Sequence, residues 1–196
     1  VALSPDGLRR FGVTLPDGLV SGSGQGDLTV RLGDGAPRIA LASDLRGIGL
    51  RIAAVNWSKP AAAAGTFRLS GRLGKAPQID RLSLEAPGLS ARGRVELSAG
   101  PAFKALRLDR VALGGWLDGA VTVAARGPGQ PPAISVTGGR VDLRRAQLGG
   151  SGSGGGTARG PVTLRLDRLT ITDTLALTAA AVDLAPGRGL SGAFSG

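Results

Sequence analysis

The sequence contains no cysteine, histidine, methionine or tyrosine. That removes thiol nucleophiles, disulfides, imidazole bases and the commonest transition-metal ligands together. Aromatic residues are only 3% of the chain, two Trp and four Phe. Single-stranded nucleic acid is bound largely by stacking bases on such rings, so no nucleic-acid partner is expected in spite of a net charge of +10. Lysine is also scarce: Lys59, Lys75 and Lys104 stand among 24 basic residues. The arginines that make up the rest are spread along the chain, with Arg9-Arg10 and Arg144-Arg145 the adjacent pairs. No window approaches the roughly 18 consecutive apolar residues of a membrane-spanning helix, and the start shows no signal-peptide pattern. The reading is a piece soluble in its own right, cut from a membrane-anchored parent.

What the sequence does have is 42% hydrophobic residues, 34 Gly and 12 Pro in 196 positions. Enough apolar material is present for a core, and the glycine and proline content favours many short strands joined by turns. Period-two alternation recurs from end to end, clearest in DLTVRL (27–32), TFRLSGRL (66–73), LDGAVTVAAR (117–126) and PVTLRLD (161–167). Turn signals separate these runs: GDGAP after Leu32, NWSKPAAAAG after Val55, EAPG at Glu85, SAGPA at Ser98, RGPGQPP after Ala125 and APGRG near the end. The expected fold is all-β, a long curved and mainly antiparallel sheet with few or no helices, forming one β-rich segment over 1–196.

Residues 149–160 are rich in Gly and Ser and satisfy GxGxxG from Gly150 to Gly155. A phosphate-binding loop of that type must open a helix whose amides face the phosphate. Here the run leads into a strand pattern, so a flexible loop is expected.

Three segments share an Asp-Arg pair followed by apolar, any, apolar: IDRLSLE (79–85), LDRVALG (108–114) and LDRLTIT (166–172). Their aspartates, Asp80, Asp109 and Asp167, are 29 and then 58 residues apart. At the skipped position the chain reads GGRVDL (138–143), a degenerate match. The pattern suggests a repeat of about 29 residues, one hairpin per unit. In each copy the apolar parity flips across the pair: Leu106 and Leu108 give way to Val111 and Leu113, Leu164 and Leu166 to Leu169 and Ile171. Either an inserted bulge residue restores the face and bends the strand, or the strand turns its second half toward a different apolar environment.

No catalytic site emerges. Carboxylates such as Asp109 and Asp118 sit at strand polar positions or beside Gly turns, where solvated Asp is the default. There is no GxSxG, no SxxK, and no Asp-rich calcium loop. No cofactor and no metal are expected. Trp57 and Trp116, each beside a turn, read as core or rim anchors, with lipid-headgroup contact as the alternative.

A Trp-x-Lys-Pro turn in NWSKPAAAAGTFRLSGRL (56–73) is followed in order by LEAPGLSARGRVEL (84–97), LDRVALGGWLDGAVTVAARG (108–127) and ISVTGGRVDLRRA (134–146). That succession resembles the AsmA-like superfamily, the YhdP type of alphaproteobacteria and relatives of TamB, over about three quarters of the chain. The resemblance implies a periplasmic groove, apolar within and tethered to the inner membrane by an anchor outside this segment. Such a groove would conduct phospholipid toward the outer membrane, with other envelope proteins as possible partners. Its lining would come from the apolar faces of the clearest strands: Val121, Val123, Val162, Leu164, Leu166, Leu175 and Leu177. The same alternation would equally fill a closed sandwich core. The rival expectations are a structural or adhesive secreted β-solenoid and a β-sandwich module that binds polysaccharide or a partner protein.

Overall fold

A computed structural model describes residues 1–10, 15–16, 18–33, 35–74, 77–98, 102–146, 160–184 and 194–195. Most of 149–160 and all of the APGRG segment therefore lie outside the described residues.

Near the start a single helical turn, α1 (Pro5–Arg10), follows two-residue β1 (Ala2–Leu3). Ser4 caps it by accepting the Gly7 N–H at 3.0 Å, with Pro at the first helical position and Asp6 in the first turn. The short strands β2 (Val20–Gly22) and β3 (Gly24–Gln25) follow, then β4 (Asp27–Arg31) and β5 (Arg38–Ser43). Next come β6 (Ile48–Ile52), one turn of 3-10 helix (Ala53–Val55) and β7 (Trp57–Lys59). The rest is strand and turn: β8 (Thr66–Arg72), β9 (Gln78–Ala86), β10 (Leu89–Leu97), β11 (Phe103–Leu113), β12 (Leu117–Ala124), β13 (Ala133–Asp142), β14 (Val162–Thr170), β15 (Ala176–Leu184) and β16 (Phe194–Ser195).

The fold is all-β. One 11-stranded sheet runs in the order β16-β15-β14-β13-β12-β11-β10-β9-β8-β5-β4, and its two outermost strands do not pair, so it is open rather than a barrel. Strands β2, β6 and β7 make a 3-stranded sheet of their own, and β1 pairs with β3. All the main-sheet ladders are antiparallel except β13–β14. That exception follows from the chain path. The interval from Asp142 to Val162 is longer than the dozen or so residues that a parallel crossover needs.

The NWSKPAAAAG stretch differs from the expected single turn, because Trp57–Lys59 pairs with β6. Trp57 and Lys59 both point inward while Ser58 is exposed, the alternation of a strand too short to register as a run.

The Asp-Arg pairs resolve in two ways. In β11, Asp109 and Arg110 lie opposite Ala120 alone, and in β9, Asp80 and Arg81 lie opposite Arg94 alone. Each is a bulge, and the extra residue returns the following apolar positions to the face of the preceding ones. The glycines on neighbouring strands admit this. A Cβ on Gly93 would lie 1.9 Å from the Arg107 carbonyl oxygen, and one on Gly71 2.2 Å from the Gln78 carbonyl oxygen. At the GGRVDL segment Gly138 and Gly139 of β13 lie opposite Gly119 of β12, a third offset. The copy at Asp167 is different. The β14–β15 register runs unshifted through Leu166↔Ala180 and Arg168↔Thr178, so both strands change face together, with Ala179 at a φ of 53° opposite Asp167. The Asp167 carboxylate accepts the Gly139 N–H at 2.6 Å, which ties this kink to the neighbouring bulge. A crease of irregular positions thus crosses the sheet from Gly71 to Ala179.

Because the offsets cancel the parity flips, one face of the sheet is apolar on every strand from β4 to β15. The opposite face carries the charges. Ion pairs bridge it: Arg72–Asp80 at 3.4 Å, Arg92–Glu85 at 3.1 Å, Arg94–Asp109 at 3.4 Å, Arg107–Glu96 at 2.6 Å, Arg110–Asp118 at 3.4 Å and Arg165–Asp183 at 2.7 Å. Asp109 and Asp118 are thereby accounted for as partners of arginine. These pairs lie on the solvent side of the sheet, with Glu96 and Asp118 only partly exposed, so each contributes little to stability.

Candidate apolar binding face

The apolar face divides at the crease. On one side lies a packed core, built from Leu89, Ala91, Val111, Leu113, Leu117, Val141 and Leu169, with Val136, Leu166, Ala180 and Val182 at or across the crease. Two indoles belong to that core. Trp57 comes from β7, and its Nε1 donates to the Pro87 carbonyl in the β9–β10 turn at 2.9 Å. Trp116 sits in the β11–β12 turn and is buried in the same cluster. Leu50, Ile52 and Val55 pack against it from the β6–β7 side, so the small sheet and both tryptophans close this end.

Lys59 holds the closure in place. Among the described residues it is the most deeply buried large side chain, at 1% exposure, and its Nζ donates to the carbonyls of Leu45 at 2.7 Å, Ile48 at 2.7 Å and Pro60 at 3.1 Å. Burial pushes the ammonium down from its ordinary value, and the Asp44 charge acts the other way. All three N–H donors are spent on backbone, which fixes the Leu45–Ile48 loop against β7. The Trp-x-Lys-Pro motif is therefore a structural lock. Sequence reasoning saw Trp57 but gave Lys59 no role. The signal was present, since a lysine in a chain that otherwise uses arginine almost throughout offers the compact, three-donor head that this cage of carbonyls needs.

On the other side of the crease, among the described residues, the small sheet and the indoles do not cover the face in this way, although Leu184 at its far edge packs against the core. The ladder registers place one residue per strand in a single row running across the strands: Val30, Ile39, Gly71, Ile79, Val95, Leu106, Val123, Ile134, Val162 and Leu184. At about 4.8 Å per strand the row extends roughly 43 Å. Apart from Gly71 every member is apolar. Val95, Leu106, Val123, Ile134 and Val162 are half-buried and lie beyond the packed cluster. At the β4 end the row opens to solvent, where Val30 is 50% exposed.

The residues expected to line a groove divide accordingly. Val123 and Val162 fall in the row. Val121, Leu164 and Leu177 share the face and pack on the margin of the core, whereas Leu166, at 2% exposure, is part of the core itself. Leu175 is not on the face of a strand. It precedes β15, exposed, in a turn where its carbonyl accepts the Ile171 N–H at 2.9 Å and the Thr172 N–H at 3.2 Å. The strand that seemed to include it begins one residue later, at Ala176, because the chain is still reversing at Leu175. Sequence reasoning missed Val30, Ile39, Ile79, Val95, Leu106, Ile134 and Leu184 as members of one row. Each is visible as apolar within its own strand, but their alignment depends on the inter-strand register.

Compared with protein-family models, with curated proteins and with solved structures, the chain finds no significant match in any of the three.

Proposed function

We propose that the chain is a noncatalytic segment of a lipid-transport protein of the cell envelope, carrying phospholipid acyl chains along its apolar face between inner and outer membranes. The supporting observation is the row from Val30 to Leu184, apolar across ten strands and set perpendicular to them. It lies in a sheet far wider than the 2- and 3-stranded sheets beside it. An acyl chain laid along this row touches a new strand about every 4.8 Å without meeting a charge.

The physics asks for no chemistry. Exposing an acyl chain of about 16 carbons to water costs on the order of 10 kcal/mol, at about 0.8 kcal/mol per CH2. An apolar track keeps that surface covered along its whole length. Since a bilayer and the track are similarly apolar, the chain moves between them with little net change. In this reading the protein is periplasmic and tethered to the inner membrane by a part of the parent outside this segment. The antiparallel hairpin order also suits an elongating trough better than the stacked parallel coils of a solenoid.

Native mass spectrometry of the purified chain tests the reading. The expected result is co-purifying phospholipid, reduced by Val123→Asp, which puts a charge into the row without touching the core. Protein free of lipid in both forms would overturn it.

A further inference from the structure

The charged face is not uniform. From β9 to β15 most of its arginines meet carboxylates, but of the four on β4, β5 and β8 (Arg31, Arg38, Arg68 and Arg72) only Arg72 meets one among the described residues. The ladder sets Arg31, Arg38 and Arg72 side by side on three adjacent strands, spanning roughly 10 Å. Of the three, Arg72 alone reaches a carboxylate among the described residues, Asp80. Arg68 and Arg81, on neighbouring β8 and β9, have none among them either. Like charges directly opposed across a ladder repel, so this row is unfavourable unless an anion lies over it.

Exposed apolar side chains gather at the same corner. Leu28, Val30, Leu32 and Leu73 are 40%, 50%, 81% and 40% exposed. Leu32 and Leu73 begin the β4–β5 and β8–β9 turns, which lie together: the Leu73 N–H donates to the Pro37 carbonyl at 2.7 Å, and a Cβ on Gly74 would rest 3.4 Å from that of Ala36. Val30 is also the first member of the apolar row.

We infer that this corner docks on a bilayer surface rich in anionic phospholipid. Leu32 and Leu73 enter the headgroup boundary while Arg31, Arg38 and Arg72 bind the phosphates, presenting the open end of the row to the lipid. Docking itself does not depend on the transport reading. Leucine tips and a guanidinium row match the two layers of such a surface, apolar below and anionic above.

Flotation with vesicles of phosphatidylcholine, with and without phosphatidylglycerol, tests this. The full chain is expected to float with the anionic vesicles only, and less so as salt rises. Arg31→Gln with Arg38→Gln should weaken binding about fivefold per arginine, and Leu32→Ser with Leu73→Ser should also release it. Arg110→Gln with Arg168→Gln removes the same net charge elsewhere on the face and should have a much smaller effect. Equal loss in the two arginine pairs, no binding to anionic vesicles, or equal retention on single-stranded RNA would each overturn the inference. Phospholipid measured by native mass spectrometry in the same samples separates the two proposals. Lipid retained while vesicle docking is lost supports docking as a distinct step, whereas a lipid-free but vesicle-binding protein would sink transport and leave docking standing.

Discussion

The two ends of β11 carry the same kind of residue on the same face, yet they lie in different surroundings. Leu113 is 4% exposed between Leu89 and Leu117, in the cluster closed by Trp57 and Trp116. Leu106, on the far side of the Asp109 bulge, is half-buried between Val95 and Val123 and outside that cluster. Alternation thus says that a face is apolar but not what it faces. The difference comes from what lies across from it: a small sheet and two indoles over one half and, among the described residues, no comparable layer over the other.

The comparison breaks most visibly if the closed end is opened. Trp57→Ala removes the indole and its hydrogen bond to Pro87, and should cost about 3–5 kcal/mol in urea unfolding while leaving the lipid retention proposed for the other half intact. Loss of both together would show that the two halves are one packed unit. A matched pair sharpens the contrast. Leu113→Ala should cost about 3 kcal/mol, with a cavity left in packed surroundings, and Leu106→Ala about 1 kcal/mol, because its side chain is only partly removed from water to begin with. Equal costs would mean that the half beyond the bulge is as closely packed as the core.

The smallest expected effect belongs to the charged face and should be the same on both sides of the crease. The hydrogen bond from Arg107 holds the Glu96 carboxyl below the usual carboxylate range, and the hydrogen bond from Arg144 does the same for Asp142. A depressed folded-state value stabilises the fold above the unfolded value, and that contribution is lost as pH falls through the folded one. A modest decline in stability is therefore expected below about pH 4. Carboxyl titration by NMR should show both groups with midpoints below the ordinary value, and ordinary midpoints would dissolve these pairs.

Much of the architecture could be read directly. DLTVRL, TFRLSGRL and PVTLRLD fall within or overlap β4, β8 and β14 to within a few residues, because period-two alternation is a local property of a half-buried strand. The parity flips at Asp80 and Asp109 were legible, but the sequence left a bulge and a change of face as alternatives, and the ladder offsets decide for the bulge. How the third copy at Asp167 resolves was not legible. Its kink is matched by Ala179 on the partner strand, so no ladder offset is needed, and nothing near Asp167 in sequence announces Ala179. The candidate face was half legible: Val123 and Val162 were named, but Leu166 and Leu175 carry the same local signature and end in a core and in a turn.

By itself the sequence determined that this chain is β, that one side of each strand is greasy, and that histidine and thiol chemistry are absent, since all three depend on residue type and near-neighbour spacing. Tertiary structure alone decided which stretch of the greasy side is sealed and which, among the described residues, is left without that cover. Sealing depends on contacts between distant segments, such as Trp57 reaching Pro87 across 30 residues and Lys59 binding three carbonyls, and a periodic pattern holds no information about which distant segment will arrive.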